Sequence, residues 1–384
     1  MPATITLNNF GNLNITSFGQ TIKIGKTVPP VQISGLFAAG YNGYGQLGDG
    51  TRTNRSSPIQ VGAGTNWASL STAGTGALFA ATRTDGTLWT WGKNDRGGLG
   101  INSAGNKSSP VQVGNLTNWS KVATGYNLCL AAKQDGSLWA WGNNAYGTCG
   151  DGTKVHRSSP VQVFASGNTW DAISAEAFCA GGVRSDGSLW VWGANYQGIL
   201  GDGTATSKSS PVRIGNDTNW SRFAFGYYQT LAVKSDGSLW AWGGNSYGQL
   251  GLNDRTHRSS PVRVGNENTW SRVAAKYMAS FAIKTNGTMW GWGYGSYKQI
   301  VPNETGSYSS PVQILAGRTW VKVACATTTT VALDNTGQLW AWGTNYFGEA
   351  GNNSSSEITS PIQVFVTGSW SDISANQYGI YALA

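Results

Sequence analysis

Few side chains in this chain belong to the types that carry covalent chemistry. There are two histidines, four cysteines and 18 acids among 384 residues. His156 and His257 each stand just before an arginine, in segments that otherwise match. Two histidines on separate segments, without an acid or thiol at ligand spacing, do not outline a metal site. Cys129, Cys149, Cys179 and Cys325 are scattered and form no Cys-x-x-Cys. They read as free thiols, neither a disulfide framework nor a redox pair. Asp85, Asp135, Asp186 and Asp236 each precede a glycine in a turn sequence, and Asp49, Asp151 and Asp202 lie in Gly-Asp-Gly-Thr segments. No two of these acids stand out as a general acid–base pair. Nucleophile motifs and phosphate-binding loops are missing as well. The expectation is no catalytic residue, no metal and no cofactor.

Charge offers a different kind of chemistry. The net charge is +8, and Arg55, Lys107, Arg157, Lys208 and Arg258 each precede a recurring proline by three residues. Tyr308 and Ile358 take that place in the last two copies, while Lys154 and Arg255 add to the basic set. Five cations at a fixed spacing suit an anionic surface, a glycan or an acidic protein face. Nucleic acid is disfavoured, because no base-reading motif or ordered stacking set accompanies them.

That spacing leads back to the elements beneath it. The stretch Asp236-Gly-Ser-Leu-Trp-Ala-Trp-Gly243 recurs from Asp85, Asp135 and Asp186, more loosely from Asn286 and Thr336, and in a worn form at Ser34–Gly40. The Ser/Thr-linked prolines fall at 58, 110, 160, 211, 261, 311 and 361, with steps of 52, 50, 51, 50, 50 and 50 residues. A period of this length marks supersecondary units that cannot bury their own faces alone. Each unit reads as four strands, A to D. Strand A opens on a tryptophan, as at Trp220, and strand B follows as in Thr230–Lys234. An Asp-Gly hairpin leads to strand C, Leu239–Trp242, and a glycine-rich loop leads to strand D, Pro261–Val264. Asp-Gly suits positive φ in the hairpin, and proline suits an edge strand.

Seven such units predict an all-β, seven-bladed propeller of four-stranded blades, closed by N- and C-terminal strands that share one blade. The propeller spans residues 35–384, and residues 1–34 form a β-rich arm or linker with alternating Ile and Leu. All 19 tryptophans fall in three repeat columns, so they are expected in the core and not as sugar-stacking platforms. Alternation of strand direction puts A–B turns and C–D loops on one face. The A–B turns vary most between repeats and are rich in tyrosine, as protein-binding surfaces are. The proposed contact residues there are Tyr126, Asn127, Tyr227, Tyr228, Gln229, Tyr277 and Met278, beside the arc of five cations. The sixth unit loses its Gln-Leu-Gly-Asp-Gly loop after Trp292 and so breaks the symmetry of that face.

The block Leu-Trp-Ala-Trp-Gly-x-Asn-x-Tyr-Gly-Gln-Leu-Gly-Asp-Gly-Thr…Ser-Pro-Val-x-Val resembles the regulator of chromosome condensation repeat. Asn245-Ser-Tyr-Gly-Gln-Leu-Gly251 and Asn42-Gly-Tyr-Gly-Gln-Leu-Gly48 carry it most plainly. The resemblance implies a seven-bladed propeller without covalent catalysis. It departs from the family in having no histidine in the A–B turns and no room for a protruding insertion like that of nucleotide-exchange members.

The start of the chain has neither a basic nor an apolar signal-peptide region, and no run is long and apolar enough for a membrane span. A place in the cytoplasm or on a particle surface follows. The first functional reading is a non-enzymatic interaction module displayed on an assembled particle, such as a virion decoration or a tail or adhesion protein. Residues 1–29 and the turn face would contact protein partners or particle subunits. The alternative is a soluble protein-binding regulator, resembling an exchange factor or a propeller-type enzyme inhibitor.

Overall fold

A computed structural model describes residues 34–72, 76–164, 169–366 and 368–384, together with the backbone of three strands before them. Those strands, Thr4–Leu7, Leu13–Ser17 and Gln20–Ile24, pair antiparallel in chain order. The remaining 28 strands form seven four-stranded antiparallel sheets arranged as a propeller. Blade 3 is representative: A is Trp119–Gly125, B Leu128–Lys133, C Leu138–Gly142 and D Arg157–Gln162.

Blade 1 is shared. Its A and B strands, Asp372–Asn376 and Gly379–Leu383, come from the end of the chain, and its C and D strands, Leu36–Gly40 and Arg55–Gln60, from near the start. Register runs Gly379↔Gly40 through Leu383↔Leu36 without a shift. Strand pairing therefore closes the ring. All four cysteines are free and buried.

The repeat sequence explains the blade. The glycine after the second C-strand tryptophan takes positive φ, +105° at Gly142, where a Cβ would lie 2.1 Å from the Asn127 carbonyl. The hairpin glycine does likewise, but the aspartate before it is not among the positive-φ residues. The B–C hairpin is thus a type I turn ending on a left-handed glycine, and not the two-residue mirror turn that Asp-Gly often marks. The aspartate has a separate job: Asp135 Oδ1 accepts from the Ser137 amide and hydroxyl, and that hydroxyl accepts from Trp139 Nε1.

The core lies between blades. Blade 4 residues such as Val191, Leu200 and Ile214 pack with Trp220, Phe223 and Trp242 of blade 5. The second C-strand tryptophan is fully buried, and in most blades its indole N–H donates to the preceding blade's C–D loop, as Trp242 does to the Ile199 carbonyl at 2.9 Å. Burying one indole removes roughly 150–250 Å² of surface, so these columns supply most of the apolar drive. The first C-strand tryptophan is half-buried and carries a cation over its face. Lys133, Lys234 and Lys284 sit 3.9, 4.2 and 4.0 Å from the ring centroids of Trp139, Trp240 and Trp290.

The A strands line a central channel of about 260 Å³. Near its turn-face end, Glu176 of blade 4 pairs with Lys276 of blade 6 at 2.9 Å, with blade 5 lying between them in the ring. The structure puts them at the inner ends of A strands, with Glu176 fully buried.

Candidate functional site

A–B turns and C–D loops do share a face, and aromatic rings join across it. Tyr126 of blade 3 meets Phe178 of blade 4 at 5.6 Å between ring centroids. Phe178 meets Tyr227 of blade 5 at 6.5 Å, and Tyr227 meets Tyr277 of blade 6 at 6.0 Å. Rings from the C–D loops extend this chain: Tyr146 against Phe178 at 5.2 Å, and Tyr294 against Tyr277 and Tyr247 at 6.3 and 4.8 Å. A second group gathers Tyr378, Tyr44 and Phe347 around Tyr41 at the junction of blades 1 and 7. Tyr126, Tyr227, Tyr228 and Tyr277 are half-buried, while Tyr196, Tyr247, Tyr346 and Phe347 are exposed. Partial burial against like rings holds these tyrosines on a stiff base. It also raises the Tyr227 and Tyr277 hydroxyls above the usual phenol range, chiefly through desolvation, with neighbouring phenols adding to it.

Three residues grouped with these tyrosines by sequence have other positions. Asn127 is buried at positive φ, and its carbonyl accepts from the Asn143 amide at 2.7 Å. Gln229 is fully buried, and its amide donates to the Ala279 carbonyl of the next blade. Met278 is half-buried, and its carbonyl accepts from Tyr294 N–H. Asn127 and Gln229 fasten the turns from below, because a turn between two buried strands leaves polar backbone groups that need partners.

The arc of cations is largely neutralised by its own loops. Arg55 pairs with Asp49 at 2.7 Å, Arg157 with Asp151 at 2.5 Å, Lys208 with Asp202 at 3.1 Å and Arg258 with Asp254 at 2.6 Å. Lys107 has no ion pair among the described residues; its loop carries Ile101 where Asp49, Asp151 and Asp202 stand, and Ser103 where Asp254 stands. The aspartates are hubs. Asp49 also accepts from Asn42 and from the Thr51 amide and hydroxyl. Burial works to raise its carboxyl, but the Thr51 and Arg55 hydrogen bonds together outweigh it and hold the group below the usual carboxylate range. The Gly-Asp-Gly-Thr sequence and the cation before the proline are one folding unit.

The histidines belong to the same unit. His156 and His257 accept the Asn144 and Asn245 amides at Nδ1, at 2.9 and 2.8 Å. Asn54 and Asn106 accept through Oδ1 at the matching place in other blades. Among the described residues, no group of three His, Cys, Asp or Glu side chains is placed to hold a metal ion. The sixth blade keeps the inner half of its altered loop. The Gln299 carbonyl still accepts from Trp342, and Tyr308 replaces the cation, donating to Glu304 at 2.5 Å.

Sequence reasoning missed the C–D loop rings, Tyr44, Tyr146 and Tyr247 among them. Their signal is the repeat's own Asn-x-Tyr-Gly, whose recurrence made it look like scaffold. The asparagine is scaffold, fully buried at Asn144 and Asn245. The tyrosine beside it lies on the surface face.

Models of the regulator of chromosome condensation (RCC1) repeat match residues 85–132, 135–182, 186–233, 236–283 and 286–333, and a second model of the repeat matches 119–148, 220–249 and 320–349. The chain belongs to the RCC1 repeat family. Solved propellers share its fold. Human WBSCR16 superposes with a TM-score of 0.81 at 22% identity, covering 92% of this chain and 99% of that one. Yeast RCC1 (Prp20), crystallised bound to Kap60, gives 0.80 at 18% identity over 92% and 89%. Prp20p of Saccharomyces cerevisiae, studied for its binding to Gsp1p and histones, gives 0.79 at 18% over 92% and 91%. Among the described residues, no helix is long and apolar enough to cross a membrane.

Proposed function

We propose that this RCC1-repeat propeller is a non-catalytic, protein-binding regulator that engages its partner through the A–B turn and C–D loop face. The observation that carries the reading is the run of touching rings from Tyr126 to Tyr294, spread over four successive blades. Tyrosine gives large contact area at low entropic cost and a hydroxyl for polar contacts, so rigid tyrosine clusters suit a protein surface. The propeller relatives support this class of function: yeast RCC1 was crystallised with Kap60, and Prp20p was characterised with Gsp1p and histones. The paired cations favour a mixed or weakly polar partner surface over a polyanion, since four of the five have an internal counter-charge.

A component of an assembled particle would instead use residues 1–29. The relatives give that reading no support. One comparison separates the two. Proteins co-purifying with the full chain are quantified against a Tyr227→Ser/Tyr277→Ser variant and against a chain lacking residues 1–29. A face-binding regulator loses its partner in the double variant and keeps it in the deletion. Loss in the deletion alone would overturn the proposal.

A further inference from the structure

On the rim of the ring, clefts open between the D strand of one blade and the outer tryptophan of the next. Two of these clefts are nearly equal in volume, about 590 Å³ between blades 2 and 3 and about 580 Å³ between blades 5 and 6. Their charge differs. Beside the second cleft Arg258 pairs with Asp254 and Lys284 with Glu267, at 2.6 Å each, while Arg263, which lines it, donates to the Asn266 carbonyl and the Asn268 side chain. The corresponding cations at the first cleft are Lys107 and Lys133, which both line it. The sequence puts Ser103 where Asp254 stands and Leu116 where Glu267 stands. Neither lysine has an ion pair among the described residues. In the clefts after blades 1, 3 and 4 at least one of the two cations is paired, through Arg55, Arg157 and Lys208.

The floor of the first cleft is apolar, with Ile101, Val111, Val113 and Leu116 beside Trp119 and Trp139. Leu116 is 47% exposed, and Lys133 lies 3.9 Å from the Trp139 ring centroid. Two lysines with no ion pair among the described residues, beside open apolar surface, form an amphiphilic site, and the volume is in the range of small-molecule pockets. We infer that this cleft binds a small amphiphilic anion, an aromatic or medium-chain aliphatic body bearing one carboxylate or sulfonate. The body covers Leu116 and Val113, and the head is met by Lys133 in place of the acid that Leu116 replaces, with Lys107 adding positive charge from the turn-face end of the D strand. The site lies on the rim, where its C–D loop wall borders the turn face, but no tyrosine lines it, so it does not depend on what the tyrosine rings bind.

The test titrates the full chain with octanoate by calorimetry, with octan-1-ol as the uncharged control, and follows the Ile101, Val113 and Leu116 methyl signals by NMR. Saturable one-to-one binding is expected, with shifts at those methyls and affinity for octan-1-ol at least tenfold weaker. Leu116→Asp supplies Lys133 with the acid found in other blades and should weaken octanoate at least tenfold while holding or raising the melting temperature. Lys107→Gln, on the rim strand, should weaken it several-fold and serves if the first variant fails to fold. The inference is overturned by absence of saturation, by equal affinity for the alcohol, by unchanged affinity in the folded variants, or by shifts confined to the turn face.

Discussion

Glu176 and Lys276 meet in the central channel, the glutamate fully buried and the lysine largely so, and the consequence of losing one is asymmetric. A buried pair contributes modest net stability, but removing one partner strands the other charge at a cost of about 3–5 kcal/mol. Lys276→Met should therefore lower the urea-denaturation free energy by about that amount. Adding Glu176→Gln should restore most of the loss. An equal loss in the double variant would mean that packing, not charge, holds this end of the channel. Glu349 presents a second buried carboxyl. It occupies the slot filled by Gln46, Gln249 and Gln299 in other blades, is 2% exposed, and accepts the Phe347 amide. Burial pushes its carboxyl above the usual range, and the hydrogen bonds do not fully offset this. The raised value means the folded state favours the proton, so a penalty grows as pH rises from the unfolded to the folded value and is complete above it. Glu349→Gln should then stabilise the protein at neutral pH by roughly 1 kcal/mol. Below the unfolded carboxylate value the gain should vanish, which chemical denaturation at pH 7.5 and at about pH 4 would check.

At the scale of elements, the C–D loop is the unit that sequence half reveals. Its recurrence, its glycines and its position on the turn face are all legible in the spacing, because each reflects backbone geometry repeated blade after blade. The partners of its charges are not. Asp151 and Arg157 stand six positions apart, and nothing in that interval says whether the arginine turns inward to the aspartate or outward to solvent. The buried Asn144 amide decides it, fixing Asp151 at 3.1 Å where the guanidinium can reach. Asp151→Ala should thus cost about 1.5–3 kcal/mol, typical of lost charge-assisted hydrogen bonds. It should also expose Arg157, giving stronger retention on a cation exchanger than the loss of one negative charge on the surface would. The hairpin lysines were hidden for a similar reason. A cation at the end of strand B looks solvated in sequence, and only the bulge after Trp119, which sets Lys133 opposite that ring, brings it over the indoles. The tyrosine face shows the opposite case. Variation between A–B turns pointed to Tyr126, Tyr227 and Tyr277, whereas Tyr146 and Tyr247 lay concealed in a constant motif.

For the whole molecule, the number of blades, the four-strand pattern and the shared first blade follow from counting strand types at the two ends of the repeat region. Closure makes the last residues structural. Gly379–Leu383 is the central link between Asp372–Asn376 and Leu36–Gly40, so a chain ending at residue 371 should not form a compact monomer. Light scattering of that truncation would show aggregation or an expanded chain; a monodisperse monomer with native tryptophan emission would contradict the closed ring. The ring also gives the turn face its rigidity, since turns are tied to the next blade by Tyr126 N–H to the Ala177 carbonyl at 3.2 Å and Tyr227 N–H to the Tyr277 carbonyl at 2.9 Å.

The use of that face for recognition is tested most directly by site-specific photocrosslinking in cells of the source organism. A benzophenone amino acid is placed at Tyr277 on the turn face, and in a separate protein at exposed Ser235 on the hairpin face. The account predicts a discrete covalent adduct with a second protein from position 277 and none from position 235. Adducts from 235 alone, or from neither position, would contradict it.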